Sequence, residues 1–253
     1  MSPQADNHEP EEQLAEGTLM SHLLELRSRI MKATFAVVVV FLALTPFTQR
    51  VFEVVSAPLI AVLPAGSEMI ATDVAAPFVT PFKTTFFVAL FIAMPVVIFQ
   101  VWQFVAPGLY KREKKFAIPL IISSVVLFYT GMAFAYFVVF RLMFSFFANV
   151  VPGGVQMAPD ISSYLSFVLG IFLAFGVAFE VPIATVMLIW SGLVSMKTLK
   201  SGRRYVFLGA FVVGAVLTPP DVFSQTLLAV PMYLLYEGGM IMARIMLPEK
   251  TKQ

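Results

Sequence analysis

Long apolar runs of helical length recur along this chain, separated by short clusters of charge, Pro and Gly. Runs at 33–47, 84–105, 117–139 and 164–190 predict four membrane-crossing helices. The third predicts a helix that continues past Arg141, and Pro95 predicts a kink in the second. Two shorter runs follow. Sixteen residues (205–220) lie between Arg204 and Asp221, and fifteen (222–236) between Asp221 and Glu237. A crossing needs about 20 residues, so these predict either a re-entrant hairpin or two short spans across a thinned bilayer. Two short spans are favoured. The turn Thr218-Pro219-Pro220-Asp221 joins them.

The segment 19–32 has a different pattern. At 100° per residue, Ser21, His22, Glu25, Ser28, Arg29 and Lys32 share one arc. Leu19, Met20, Leu23, Leu24, Leu26, Ile30 and Met31 share the other, with Arg27 near its middle. This predicts an amphipathic helix lying at the membrane surface, capped by Thr18 or Ser21, with Glu25 on the open face. Arg27 then has to reach headgroups or an oxygen partner. The connection 50–83 carries Pro58, Pro64, Pro77 and Pro81. It predicts a short helix over 51–63 broken near Pro58, an extended stretch over 70–82, and a structured cap on the membrane surface. The chain divides into an acidic, disordered tail (1–17), a membrane domain (18–244) and a short tail (245–253).

Composition agrees. Of 253 residues, 59% are apolar and only 13% charged, far from the balance of a soluble domain. The fold class is therefore an all-α integral membrane protein with six transmembrane helices. The opening residues predict no cleavable signal. Of 17 Lys and Arg, only Arg50, Lys83 and Arg141 fall on the face opposite the N-terminus. That asymmetry places both termini and the basic loops 106–115 and 193–205 in the cytoplasm, and the remaining connections as structured periplasmic loops.

Much chemistry is excluded. There is no Cys, and the two histidines, His8 and His22, precede the first apolar run. No thiol nucleophile, Cys-ligated metal or multi-His metal site is available, and no cofactor is implied. No span holds a Ser–His pair or two aspartates, and no phosphate-cradling Gly-Lys-Ser/Thr loop is present. The chain does not read as an enzyme, nor as a nucleic-acid binder.

Acids remain. Glu180 lies near the middle of the fourth span, two residues before Pro182, which leaves the Ala178 carbonyl without its helical N–H. A carboxyl at that depth wants a partner, either a bond within the bundle or a docking or proton-accessible site. Glu25 and Glu113 sit among cations on the cytoplasmic face. They make either local ion pairs or a pair of carboxylates for an incoming guanidinium. Asp221 reads as an N-cap with Gln225 one turn on, and Phe104 as a packing or interface aromatic.

Four motifs together resemble one family. These are His22-Leu-Leu-Glu-Leu-Arg-Ser-Arg29, Phe104-Val-Ala-Pro-Gly-Leu-Tyr-Lys-Arg-Glu113, Phe175-Gly-Val-Ala-Phe-Glu-Val-Pro182 and Leu217-Thr-Pro-Pro-Asp-Val-Phe-Ser-Gln225. In order, they are similar to TatC, the multispanning receptor subunit of the twin-arginine protein translocase. The resemblance spans about 19–244. It implies a six-span bundle with short fifth and sixth helices in the bacterial inner membrane. It implies transport of folded proteins driven by the proton gradient, with the single-span TatA and TatB, other copies of itself and lipid as partners. It implies that Glu25 and Glu113 receive the paired arginines of signal peptides, with Arg27, Arg29 and Phe104 tied to that site. Glu180 matches a buried acid on the concave side, and Asp221 and Gln225 match polar positions for partner-helix contacts. The competing reading is an ion-coupled small-molecule transporter using Glu180.

Overall fold

The computed structural model describes residues 9–60, 69–105, 114–150, 158–218 and 221–247. The described residues are almost wholly helical. In chain order the helices are α1 (Glu9–Leu44), α2 (Thr48–Ile60), α3 (Ala76–Val105), α4 (Lys114–Phe134), α5 (Phe140–Val150), α6 (Ile161–Trp190), α7 (Met196–Leu217) and α8 (Val222–Met246). A π-helical turn, Ala135–Val139, makes α4 and α5 one continuous rod, so the third span does continue past Arg141.

The first helix corrects an expectation. There is no separate surface helix over 19–32. α1 runs unbroken from Glu9 into the first span, so neither Thr18 nor Ser21 caps it. The sequence explains this, because no Gly or Pro occurs between Gly17 and Pro46. The rod ends where Pro46 enters a 3₁₀ turn, Thr45–Phe47. Thr45 Oγ1 donates to the Phe41 carbonyl at 2.8 Å, and Thr48 Oγ1 to the Thr45 carbonyl at 2.6 Å. α2 starts at once and continues past Pro58 to Ile60, so the break expected there is absent.

The stretch 70–82 is also mostly not extended. α3 begins at Ala76 and contains Pro77 and Pro81. Pro77 sits in the first turn, whose N–H groups have no helical acceptor, while Pro81 lies inside the helix and leaves the Pro77 carbonyl without its helical N–H. Only Ile70 is extended, in an isolated parallel bridge to Asp160. Ile70 N–H donates to the Pro159 carbonyl at 3.1 Å, and Ile161 N–H to the Ile70 carbonyl at 2.9 Å. Asp160 caps α6 through the Ser163 N–H at 2.9 Å and accepts from Thr72 N–H and Oγ1 at 3.1 and 2.8 Å.

Among the described residues, five helical stretches are long and apolar enough to cross a membrane: Met20–Ala57, Ala76–Val105, Ile118–Phe147, Ile161–Trp190 and Val222–Met246. α7 is outside this set because Lys197, Lys200, Arg203 and Arg204 fill its first half. The last helix is longer than its fifteen-residue apolar run suggested. Glu237 does not end it. Arg203 Nη2 donates to Glu237 Oε2 at 2.7 Å and Tyr233 OH to Oε1 at 2.9 Å, so the acid is paired within the α7–α8 hairpin.

α6 is the hub, packing against α4 and α8. A large cluster around Phe91, Trp102, Phe128, Leu169, Val186 and Met240 joins α3, α4, α6 and α8. Two glycines let these helices close up. A Cβ on Gly131 of α4 would collide with the Phe175 carbonyl of α6. One on Gly239 of α8 would lie 2.8 Å from Pro182 Cα. Small residues at such contacts substitute for the hydrophobic drive that lipid does not supply. Both contacts flank Glu180.

Candidate functional site

The stretch 20–35 of α1 is amphipathic in an inverted sense. Met20, Leu23, Leu24, Ile30, Met31 and Phe35 are all exposed. His22, Glu25 and Arg29, spaced three and four residues apart, turn instead to the last two turns of α3. Where the outer face of a helix meets hydrocarbon, apolar-out and polar-in is the stable arrangement. Glu25 is therefore on the packed face, not on the open face expected for it.

The contacts are specific. Arg29 Nη2 donates to Glu25 Oε1 at 3.1 Å, with side chains 24% and 35% exposed respectively. The other amino group, Nη1, donates to Gln103 Oε1 and, at 3.3 Å, to Gln100 Oε1. The guanidinium thus bridges α1 to α3. One turn back, the His22 ring stacks on Phe104 with centroids 4.5 Å apart and planes 21° apart. Among the described residues nothing bonds Glu25 Oε2. A half-exposed carboxylate with one free oxygen, a steered arginine and a stacked aromatic pair is suited to receiving a second guanidinium.

The expected site residues divide. Glu25, Arg29 and Phe104 come together. Arg27 does not: it is exposed on the opposite side of α1 and bonds to no described residue. Glu113 lies outside the described residues. His22, Gln100 and Gln103 were not among the residues singled out. The arc shared by His22, Glu25 and Arg29 was a usable signal for the first, and two glutamines three apart at the end of an apolar run for the others.

A second polar group lies deeper. Trp102 Nε1–H donates to Ser124 Oγ at 2.9 Å, and the Ser124 hydroxyl donates to Glu180 Oε2. Trp102 is 7% exposed and Ser124 fully buried. This chain ties α3, α4 and α6. Glu180 Oε1 is buried without a bonding partner among the described residues. The helix is unbroken through Pro182, and Glu180 lies about 15 Å along it from Trp190, at 1.5 Å per residue. Trp102 sits on the same stretch of α3 as Gln100, Gln103 and Phe104, so one helix end supports both acids.

Asp221 and Gln225 are remote from either group. Asp221 Oδ1 accepts the Ser224 N–H at 2.7 Å as the N-cap of α8. The Gln225 backbone N–H donates to the Asp221 carbonyl at 3.2 Å, and its backbone passes against Gly214 of α7. Among the described residues, no group of three or more His, Cys, Asp or Glu is arranged to hold a metal.

Known proteins share this architecture. Residues 21–231 match the family described as Sec-independent protein translocase protein (TatC). The chain is 58% identical over 226 residues to the Sec-independent protein translocase protein TatC of Escherichia coli (strain K12), covering 89% of this chain and 88% of that protein. It is 61% identical over 221 residues to the TatC of Azotobacter chroococcum mcd 1, covering 87% of each. A crystal structure of the twin arginine translocase receptor TatC superposes with a TM-score of 0.80 at 36% identity, covering 88% of this chain and 98% of that one.

Proposed function

This chain belongs to the TatC family of Sec-independent protein translocase proteins, and on that premise we propose that it is the receptor that binds paired-arginine signal peptides at Glu25. The observation that carries the reading is the half-exposed Glu25 carboxylate, with one oxygen held by Arg29 and the other unbonded among the described residues. A guanidinium arriving there makes a charge-assisted pair of a kind an ammonium cannot match in geometry. Glu113 supplies the second carboxylate, and Arg29 and Phe104 border the site, while Arg27 faces away from it on the opposite side of α1. The protein is a translocase subunit of the inner membrane rather than an enzyme.

The remaining assignments belong to the same proposal. α7 is the fifth span, which with α8 as the last brings the count to six, and it is short because its first half is cationic. Both termini lie in the cytoplasm, with the acidic tail 1–17 and the tail 245–253 flanking a membrane domain over 18–244. Glu180, Asp221 and Gln225 contact the single-span partners TatA and TatB, other copies of this chain complete the assembly, and the proton gradient drives transport of folded cargo. The chain has no Cys, so single cysteines placed before α1 and between α6 and α7 report sidedness without background. Labelling from the periplasm at either place rejects this topology.

The decisive test is photocrosslinking from positions beside Glu113 to a signal peptide carrying Arg-Arg or Lys-Lys. Loss of either carboxylate is expected to cost about 2–5 kcal/mol of recognition where the paired arginine is desolvated. Crosslinks lost with Lys-Lys, and lost in Glu25→Ala and Glu113→Ala, support the receptor site. Crosslinks indifferent to these changes reduce the acids to local ion pairs.

A further inference from the structure

The receptor reading leaves one difficulty. Glu25 already has an arginine, four residues along its own helix, and an arginine free to turn would present its whole fork to the carboxylate. A bidentate pair closes both oxygens. Arg29 does not do this. Only Nη2 reaches Glu25, at Oε1, while Nη1 is drawn to α3 by Gln103 and Gln100. Gln100 is buried and Gln103 half-buried, so these acceptors are fixed by the packing of α3.

We propose that Gln103, assisted by Gln100, is a positioning residue that restrains Arg29 to a single bond and so keeps one oxygen of Glu25 available to the incoming arginine. The inference rests on the proposed receptor function. The physical basis is competition. Arg29 is an internal ligand of the same chemistry as the peptide, and its effective concentration at Glu25 exceeds that of any free peptide. A device that limits its hold on Glu25 is then required for binding. The glutamines suit this task because they accept through neutral oxygens: they orient Arg29 without adding a negative charge that would itself capture the peptide.

Binding of Arg-Arg and Lys-Lys peptides to the purified full chain in detergent tests the idea. In Gln103→Leu, Arg29 is expected to fork onto Glu25 and Arg-Arg binding to fall about tenfold, the cost of losing one good charge-assisted bond. The Lys-Lys peptide makes only point contacts, so the ratio of the two affinities narrows. Adding Arg29→Lys, which has no fork, restores Arg-Arg binding in the Gln103→Leu background. A merely structural role for Gln103 weakens both peptides alike and is not repaired by Arg29→Lys, and that result overturns the proposal. Glu25→Gln separates the two layers. Binding lost in Glu25→Gln but unchanged in Gln103→Leu removes the restraint alone. Binding unchanged in Glu25→Gln removes the receptor site and the restraint with it.

Discussion

Glu25 and Glu180 are both supported by the end of α3, yet they are built oppositely. Glu25 has a cationic neighbour, partial exposure and, among the described residues, an open oxygen. Glu180 has one bond, from a neutral hydroxyl that is itself anchored by an indole, and its second oxygen is buried without a partner. The first arrangement favours exchange of one cation for another at low cost, because water and Arg29 can take up the change. The second is fixed by packing and leaves a buried acceptor to be satisfied from outside the chain or by a proton. One helix end thus serves a replaceable surface pair and an unreplaceable buried one.

The sharpest way to separate them is through the glycines. Gly131→Val drives a side chain into the Phe175 backbone and must push α4 from α6. A cost of about 3 kcal/mol is expected, since the obstruction is backbone and cannot rotate away. Thermal unfolding in detergent should show it. The contacts between α1 and α3 are on another helix pair, so Arg-Arg peptide binding by the folded fraction should persist. Loss of both together would mean that the two acids form one unit. Gly239→Val, against Pro182, should behave alike.

Ser124→Ala is milder and more selective. It removes the donor to Glu180 and the acceptor for Trp102, leaving two buried groups unpaired at a cost of about 2 kcal/mol. Trp102 and Trp190 are the only tryptophans, so in a Trp190→Phe background indole emission reports on this bond directly. A shift in emission with unchanged peptide binding keeps the two acids apart. Unchanged emission would remove Ser124 from the account.

Sequence and structure differ most where direction matters. Periodicity put His22, Glu25 and Arg29 on one arc of a helix. It could not say that this arc is the packed one, because that depends on whether water or hydrocarbon lies outside. Spans two to four, the continuation past Arg141 and the Asp221 cap were legible, since apolar length and capping residues are local signals. The start of α3 was not: Pro77 is welcome in a first turn and Pro81 is carried inside the helix, and in sequence both look like breaks until the boundary is known. Ser124 was invisible for a simpler reason. A serine in an apolar run carries no mark of its partner, and Glu180 is 56 residues away. Glu237 misled because a charge ends an apolar run in sequence but not a helix in which Arg203 neutralises it.

A third carboxylate sharpens the contrast with the smallest effect. Asp160, at the opposite end of α6 from Trp190, is satisfied by neutral donors like Glu180 but on all sides: the Ser163 N–H first, then Thr72 through N–H and hydroxyl. These bonds favour the ionised form and hold its carboxyl well below the usual carboxylate range. The sign follows. A group whose pKa is depressed on folding stabilises the fold at pH above its unfolded value, near 3.9, and that contribution fades as the pH falls below it toward the folded value. Asp160→Asn still caps α6 but cannot titrate. It should be slightly less stable than the parent at pH 6, with the gap narrowing between about pH 4 and pH 2, below the unfolded aspartate value. A gap that is constant across this range would show that Asp160 acts only through its shape as a cap. A gap that narrows would show that a carboxylate ringed by neutral N–H and O–H donors is stably charged without a cationic partner, unlike Glu25, which has Arg29 beside it.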